Sequence, residues 1–327
     1  MLEYDPIIHK INSDLFSEKG IDVSVLRLDL IDPIISGNKW FKLKYNLEEA
    51  KKQGCDTILT FGGAFSNHIH ATAAACKKFG FKCIGVISGQ EEYKSNFTLS
   101  EAADMGMQLY FVSRNDYRRK NDESFLLELK NKFGNVYVVP EGGNNYLGSL
   151  GCTEILKDID EYDYAFCSVG TSATFCGLAI SSVKGKIIIG ISVLKGEGNL
   201  IKDAQLRVNE LRKGDDLKMY CTDEILNDDV IKKSGIISGY HFGGFARHSP
   251  ELLVFKNQFE NETEIQLDYV YESKLFYAVN DLIRKNKIPE HSKVMMVHGG
   301  GLQGNKGYED RYALNPRRKV NEAQGYD

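Results

Sequence analysis

The chain has 327 residues, of which 42% are hydrophobic, and a net charge of −4. This length suffices for one large or two medium α/β domains, and the weakly acidic balance gives no indication of nucleic-acid binding. No apolar run reaches the roughly 20 residues that a membrane helix needs, and residues 1–5 lack the basic start of a signal peptide. We therefore expect a cytoplasmic protein that binds neither nucleic acid nor membrane.

The cysteines are odd in number, scattered through apolar segments and without a CxxC pair. This pattern indicates reduced, packed thiols rather than a disulfide framework or a zinc site. The seven are Cys55, Cys76, Cys83, Cys152, Cys167, Cys176 and Cys221.

Strands and helices are predicted to alternate along the chain. A strand over residues 21–31 comes first, followed by a helix with Asn38 as its N-cap that ends at Gly54. The next strand, helix and strand, over residues 57–88, form a βαβ unit. Further strands are predicted at residues 108–112, 135–139, 163–168, 186–193 and 293–297, and further helices at 96–105, 123–133, 175–183 and 250–259, with a last one ending at Arg284.

The glycine-rich segment at residues 142–151 suits a crossover between domains. We predict an open, mainly parallel α/β fold in two lobes. The smaller lobe, residues 45–152, is inserted into a larger one formed by residues 1–44 and 153–327.

Two lysines lie at the start of the helix that Asn38 opens. Lys39 is in its first turn and Lys42 is one turn later on much the same face. The helix N-terminus already carries partial positive charge, so an anion should offset both cations. The alternative is two solvated lysines beside a packed Trp40.

Two polar loops at helix starts could supply anion sites. Gly170, Thr171, Ser172, Ala173 and Thr174 offer consecutive backbone N–H groups and hydroxyls, as a phosphate site would, although no P-loop lysine follows. An ordinary strand-to-helix connection is the alternative.

Ser66, Asn67 and His68 begin another helix, where a carboxylate could bind. Plain N-capping is the alternative for this segment. A serine hydrolase built on Ser66 and His68 is a further one, although the segment does not match GxSxG. Tyr240, Tyr271 and Glu272 lie in or beside loops from which they could reach a cleft or simply face solvent.

Taken together, a lysine pair, a phosphate-type loop and a carboxylate-type loop describe a site for a phosphorylated cofactor and an amino acid. A lysine that forms an imine with a cofactor aldehyde is the natural centre of such a site.

Four segments resemble, in order and spacing, the 1-aminocyclopropane-1-carboxylate deaminase / D-cysteine desulfhydrase family. They are Ser-Gly-Asn-Lys-x-x-Lys-Leu at 36–43, Gly-Gly-x-x-Ser-Asn-His at 62–68, the 170–174 loop and Leu-Asp-x-x-Tyr-x-x-Lys at 267–274. The resemblance implies a homodimeric pyridoxal 5'-phosphate enzyme of the tryptophan synthase β-like fold (fold type II), acting on a small amino acid.

The resemblance also implies roles for single residues. Lys39 would carry the Schiff base, and Lys42 and the 170–174 loop would hold the phosphate. Asn67 would contact the cofactor's phenolic oxygen. Ser66, with Asn67 and His68, would bind the substrate carboxylate or assist proton transfer. Tyr271 would be catalytic, as the match of the deaminase tyrosine that lies over the substrate and helps open the cyclopropane, with Tyr240 and Glu272 also on the substrate side.

Two positions depart from the deaminase pattern. Phe242 stands where the deaminases have a second tyrosine, and Gly299 leaves the pyridine nitrogen without its usual hydroxyl partner. We therefore favour D-cysteine-type β-elimination to a keto acid and ammonia over opening of the cyclopropane ring. A protein that binds the cofactor or an amino acid without catalysis is the alternative of another class.

Overall fold

The computed structural model describes residues 2–195, 200–212 and 230–313. Its strands are β1 (Ile8–Ile11), β2 (Asp22–Arg27), β3 (Thr57–Gly63), β4 (Lys82–Ser88), β5 (Met107–Val112), β6 (Val136–Val139), β7 (Tyr164–Val169), β8 (Ile187–Ser192), β9 (Gly235–Ile237) and β10 (Lys293–His298). Its α-helices are α1 (Asp14–Glu18), α2 (Asn38–Lys52), α3 (Asn67–Phe79), α4 (Phe97–Asp104), α5 (Arg114–Arg118), α6 (Glu123–Phe133), α7 (Tyr146–Cys152), α8 (Ala173–Ser181), α9 (Leu200–Arg212), α10 (Pro250–Thr263), α11 (Glu272–Arg284) and α12 (Gly304–Ala313).

The strands form two sheets. The larger has the order β1-β2-β10-β7-β8-β9 and the smaller the order β5-β4-β3-β6. Only β1 pairs with its neighbour in antiparallel fashion, whereas the other strand pairs of the described chain are parallel. The predicted mainly parallel, two-sheet α/β fold is confirmed. The boundary at residues 44 and 45 stays a prediction, and it falls inside α2.

The larger sheet is buried because helices cover both of its faces. One face packs against α10 and α11, and the other packs against α7, α8 and α9. Every residue of β7 is buried, as expected for a central parallel strand covered on both sides. Loops at the carboxyl ends of the strands are therefore the natural place for a ligand.

Several predicted boundaries are wrong for identifiable reasons. The strand predicted first corresponds to β2, which ends at Arg27 because residues 28–30 form a 3-10 turn. Gly37, not Asn38, is the N-cap of α2, so Asn38 is its first helical residue. The glycine-rich segment at residues 142–151 contains most of α7, since Gly148 and Gly151 allow the helix to approach neighbouring backbone closely.

Some elements carry no clear sequence signal. The short elements β1, α1, α5, β9 and α12 were not predicted. The six cysteines in the described chain are free and buried, as predicted, while Cys221 lies outside the described residues. Among the described helices, none is both long and apolar enough to cross a membrane.

We expect Gly151→Ala to lower the melting temperature by about 5 °C, because a Cβ there would lie 1.8 Å from the carbonyl oxygen of Phe41. The overlap would push α7 away from α2, the helix that carries Lys39. Gly63→Ala is the matched control, since a Cβ at Gly63 meets nothing within 4 Å. Thermal unfolding followed by circular dichroism compares the two, and equal melting temperatures would contradict the expectation.

Candidate active site

A cavity of about 410 Å³ lies where loops from both sheets meet. The sequence-selected residues that line it are Lys39, Lys42, Ser66, Asn67, His68, Gly170, Thr171, Tyr271, Glu272 and Gly299. Further lining residues that sequence reasoning did not single out include Asn38, Phe65, Glu141, Ser168, Leu194 and Phe245.

The start of α2 is fixed against the end of β10. Gly37 adopts φ +71°, and a Cβ on it would lie 1.9 Å from the carbonyl oxygen of Gly299, so only glycine fits. The N–H of Asn38 donates to that same oxygen at 3.1 Å. Its side-chain oxygen accepts from Lys39 Nζ at 2.7 Å. Together these contacts place the Lys39 amine in the cavity.

Lys39 and Lys42 are not the solvated pair of the alternative interpretation. Burial, and the charge of Lys42 second to it, lower the pKa of Lys39 to about 7. Burial also lowers the pKa of Lys42, whose side chain is 3% exposed and donates to Thr171 Oγ1 at 3.2 Å. Both amines therefore lie at the cavity and not in solvent, and burial makes the neutral form of Lys39 accessible near neutral pH.

Only part of the 170–174 segment reaches the cavity. Gly170 and Thr171 line it, whereas α8 begins at Ala173, earlier than predicted, and turns the following residues away. Ser172 donates to Asn144 Oδ1 at 3.3 Å, and Thr174 Oγ1 accepts from the side-chain amide of Asn38. Ser172, Ala173 and Thr174 thus support the loop from behind.

Ser66 caps α3, since its hydroxyl oxygen accepts from the N–H of Ile69 at 3.3 Å. Asn67 lies against the glycine-rich segment after β10, where a Cβ on Gly301 would come within 2.4 Å of its Nδ2. Both residues line the cavity at the helix N-terminus, where backbone N–H groups favour an anion.

His68 is a neutral imidazole that donates a hydrogen bond from Nε2. Thr60 Oγ1 donates to the Val139 carbonyl at 2.8 Å, so at the other 2.8 Å contact it accepts from His68 Nε2. Its Nδ1 is buried without a partner. Burial, with the charges of Lys39 and Lys42, lowers the pKa of His68 to about 3. The structure forms no Ser66–His68 hydrogen bond within the described chain, so the arrangement does not favour the serine hydrolase hypothesis.

Glu272 occupies the space that Gly299 leaves. Its Oε1 accepts from Ser168 Oγ at 3.0 Å, and a Cβ on Gly299 would lie 3.0 Å from that oxygen. The carboxyl group also accepts from the N–H of Gly299. Its Oε2 is buried without a partner. Burial and the nearby Asp268 carboxylate raise the pKa of Glu272 well above its usual range. Glu272 therefore offers a proton-sharing carboxyl group to the cavity.

The aromatic residues at the cavity differ from those predicted. Tyr271 lines it and packs on Gly170, where a Cβ would lie 2.8 Å from the ring. Tyr240 is not among the lining residues, because its hydroxyl donates to Asp281 at 2.7 Å. Phe242 packs edge-on against Tyr277 instead. The loop contributes Phe245, which lies edge-on to Tyr271 with ring centroids 6.4 Å apart.

The sequence matches the family described as pyridoxal-phosphate-dependent enzymes over residues 11–204. With this fold and a cavity of this kind, the chain belongs to that enzyme family.

Similar proteins within this family carry the names of two activities. A Pyrococcus horikoshii protein provisionally named 1-aminocyclopropane-1-carboxylate deaminase is 31% identical, over 90% of this chain and 89% of its own. The Arabidopsis thaliana bifunctional D-cysteine desulfhydrase/1-aminocyclopropane-1-carboxylate deaminase is 26% identical, over 87% and 73%. A crystal structure described as an ACC deaminase homologue matches with a TM-score of 0.79 and 26% identity, over 96% of this chain and 94% of that one.

Proposed function

We propose that the protein catalyses β-elimination on a small D-amino acid such as D-cysteine, which releases the β-substituent (sulfide from D-cysteine) and, after hydrolysis by water, a keto acid and ammonia. The observation that carries the proposal is the Lys39 amine in the cavity, with a pKa of about 7. A general base is most effective when its pKa lies near the working pH. Lys39 Nζ is therefore suited to remove the α-proton of a bound amino acid.

The cavity residues fit pyridoxal 5'-phosphate, the cofactor of the family. We propose that Lys39 binds its aldehyde, that Lys42, Gly170 and Thr171 hold its phosphate, and that Asn67 contacts its phenolic oxygen. Ser172, Ala173 and Thr174 do not line the cavity, and we propose that they contribute to the phosphate site only through backbone N–H groups at the start of α8. When bound, the cofactor supplies an electron sink for the substrate carbanion.

Glu272 is the proposed partner of the cofactor's pyridine nitrogen. Its unpartnered Oε2 needs a hydrogen-bonding group, and its carboxyl group stands in the space left by the missing side chain at Gly299. A buried carboxyl with a raised pKa can share a proton with a ring nitrogen. This role replaces the substrate-side role expected from the sequence.

On the substrate side, we propose that Ser66, Asn67 and His68 bind the carboxylate at the N-terminus of α3. His68 adds no charge of its own at neutral pH, because its pKa is about 3. Tyr271, packed on Gly170, covers the cavity and limits the access of water.

Ring opening of 1-aminocyclopropane-1-carboxylate is the second candidate reaction. The Tyr271–Glu272 pair supports it, as do the relatives that carry the deaminase name. We rank it second because that substrate has no α-proton for Lys39 to remove. In addition, Phe245, which faces Tyr271, has no hydroxyl group.

A substrate panel tests this ranking. Purified protein loaded with the cofactor is assayed for keto acid with D-cysteine, L-cysteine, other small amino acids and 1-aminocyclopropane-1-carboxylate. We expect pyruvate from D-cysteine with the highest kcat/KM. Faster release of 2-oxobutanoate from the cyclopropane substrate would reverse the ranking. Cofactor binding without keto acid from any substrate would favour the non-catalytic alternative.

We also propose that the protein works in the cytoplasm as a homodimer, with residues 45–152 forming the smaller, substrate-side lobe. Family resemblance supports the dimer. Light scattering on the cofactor-loaded protein tests this, since a dimer has twice the mass of one chain.

A further inference from the structure

Lys274 carries a positive charge in the interior without a carboxylate bonded to it. Its side chain is fully buried, and its Nζ contacts three main-chain carbonyl oxygens, those of Val193, His241 and Gly244, at 3.3, 2.9 and 2.7 Å. No ion pair of Lys274 occurs within the described chain. An ammonium group has three N–H donors, so these three oxygens, here called the carbonyl cage, satisfy it completely.

Lys256, a buried lysine in α10, is bonded differently. Lys256 is 4% exposed, and its Nζ contacts both carboxylate oxygens of Glu260 at 2.8 Å. Lys256 is thus half of an ion pair, whereas the Lys274 ammonium group bonds only to neutral carbonyl dipoles and feels the Asp268 carboxylate without bonding to it. Burial lowers the pKa of Lys274 to about 8, which is the expected direction for such a site.

The carbonyl cage joins segments that form the cavity wall. Val193 precedes Leu194 and Gly244 precedes Phe245, and both following residues line the cavity. Lys274 itself lies in the first turn of α11, just after Tyr271 and Glu272. One ammonium group therefore links three parts of the proposed site.

The loop that provides two of the carbonyls has an unfavourable backbone conformation. Phe242 and Ala246, neither of them glycine, adopt φ values of +50° and +52°, and Gly243 and Gly244 adopt +93° and +117°. Non-glycine residues rarely adopt this region, so other contacts must hold the loop in place. Lys274 bonds to the loop at His241 and Gly244, on either side of its tightest part.

Convergent main-chain carbonyl oxygens are also the ligands that proteins offer to potassium ions. We propose that the Lys274 ammonium group is a built-in monovalent cation that fills the carbonyl cage and thereby positions Leu194 and Phe245 on the cavity wall. Lys274 is a positioning residue, and its consequence for turnover rests on the proposed function. Removing the side chain should convert the cage into a site for a free potassium or ammonium ion.

The test compares Lys274→Ala with the unchanged protein in potassium chloride and in choline chloride of equal ionic strength. In choline chloride we expect the variant to melt about 5–10 °C lower, because three buried carbonyl groups lose their partner. Potassium chloride should raise its melting temperature toward the unchanged value, since a bound ion stabilises the folded state by mass action. Choline is too large to enter the cage and should have no such effect.

Lys256→Ala is the matched control, because it also removes a buried lysine but leaves a carboxylate behind. It should lose stability equally in both salts. Lys274→Ser, which also empties the cage, provides the same comparison if the alanine variant does not fold. A melting temperature of the Lys274 variant that does not depend on the choice of salt would overturn the proposal.

The melting curves need no substrate, so that negative result would leave the proposed reaction untouched. With substrate, we expect the same variant to recover kcat at least about 10-fold on addition of potassium or ammonium. A variant whose melting temperature responds to potassium but whose kcat does not would contradict the positioning role.

Discussion

Replacing Lys39 with alanine is expected to abolish the visible absorption of the cofactor-loaded protein and to lower kcat by about 10⁴-fold or more. The proposed site assigns two tasks to this one amine, attachment of the cofactor and removal of the α-proton, whereas Lys42, the other lysine of the cavity, is bonded to Thr171 and assigned to the phosphate. Absorption spectra and keto-acid formation measure the two losses separately. An alanine variant that retains both the visible absorption band and turnover would contradict the assignment of Lys39 as the lysine that binds the cofactor.

The control for this variant is Lys44→Ala, which removes a lysine of the same helix that pairs with Glu154 outside the cavity. It should retain both band and turnover. Unfolding does not explain a loss in the Lys39 variant, because burial disfavours the charged amine and its removal should not lower the melting temperature.

The lowered pKa of Lys39 also predicts how cofactor uptake depends on pH. Only the neutral amine attacks an aldehyde, so the rate at which cofactor-free protein gains absorption should rise with pH and level off above about 7. Stopped-flow absorbance measures this rate. A rate that keeps rising toward pH 10.5, the ordinary lysine value, would contradict the buried position of the amine.

Replacing Glu272 with glutamine is expected to lower kcat by about 10²-fold or more while the protein stays folded. The amide keeps the size of the side chain, and its oxygen can still accept from Ser168 and Gly299. What is lost is the proton that the buried carboxyl group can share with the cofactor's ring nitrogen. The cofactor's absorption maximum should therefore shift along with kcat.

Glu260→Gln is the matched control for Glu272→Gln. Glu260 is also shielded, with a side chain 11% exposed, but it pairs with Lys256 away from the cavity. We expect this control to have a lower melting temperature than the unchanged protein, with the same kcat and the same absorption spectrum. Equal kcat values for the two variants would contradict the proposed role of Glu272 as partner of the pyridine nitrogen.

Part of the fold could be predicted from the sequence because residue types within one segment determine where some helices and strands begin and end. The bounds of α3 follow from Ser66, which caps its start, and from Gly80, whose left-handed conformation ends it. The strand β8 is a β-branched run between turns, as expected. In contrast, α7 was missed because glycine disfavours helices in isolation, and only close packing against Phe41 explains Gly151.

The site was predictable where residues belong to one segment and unpredictable where segments meet. Lys39, Lys42 and Ser66 were selected for their positions at helix starts, and they line the cavity. That Glu272 fills the space beside Gly299 depends on contact between α11 and β10, for which neither segment alone carries a signal.

The glycine-rich loop shows the same limit. Tyr240 was selected and Phe245 was not, because the positive φ values at Phe242 and Ala246 reverse the chain in a way that residue types do not reveal. Lys274 gave a better signal, as it closes the Leu-Asp-x-x-Tyr-x-x-Lys segment, but its carbonyl partners become visible only in the folded chain.

Reductive trapping of the cofactor tests the central claim most directly. Borohydride fixes the cofactor to the lysine that binds it, and peptide mass mapping then identifies that residue. We predict that the label falls on Lys39, in the first turn of α2, and is absent from the neighbouring Lys42. A label on Lys42 or on any other lysine, or no label on the cofactor-loaded protein, would contradict the account.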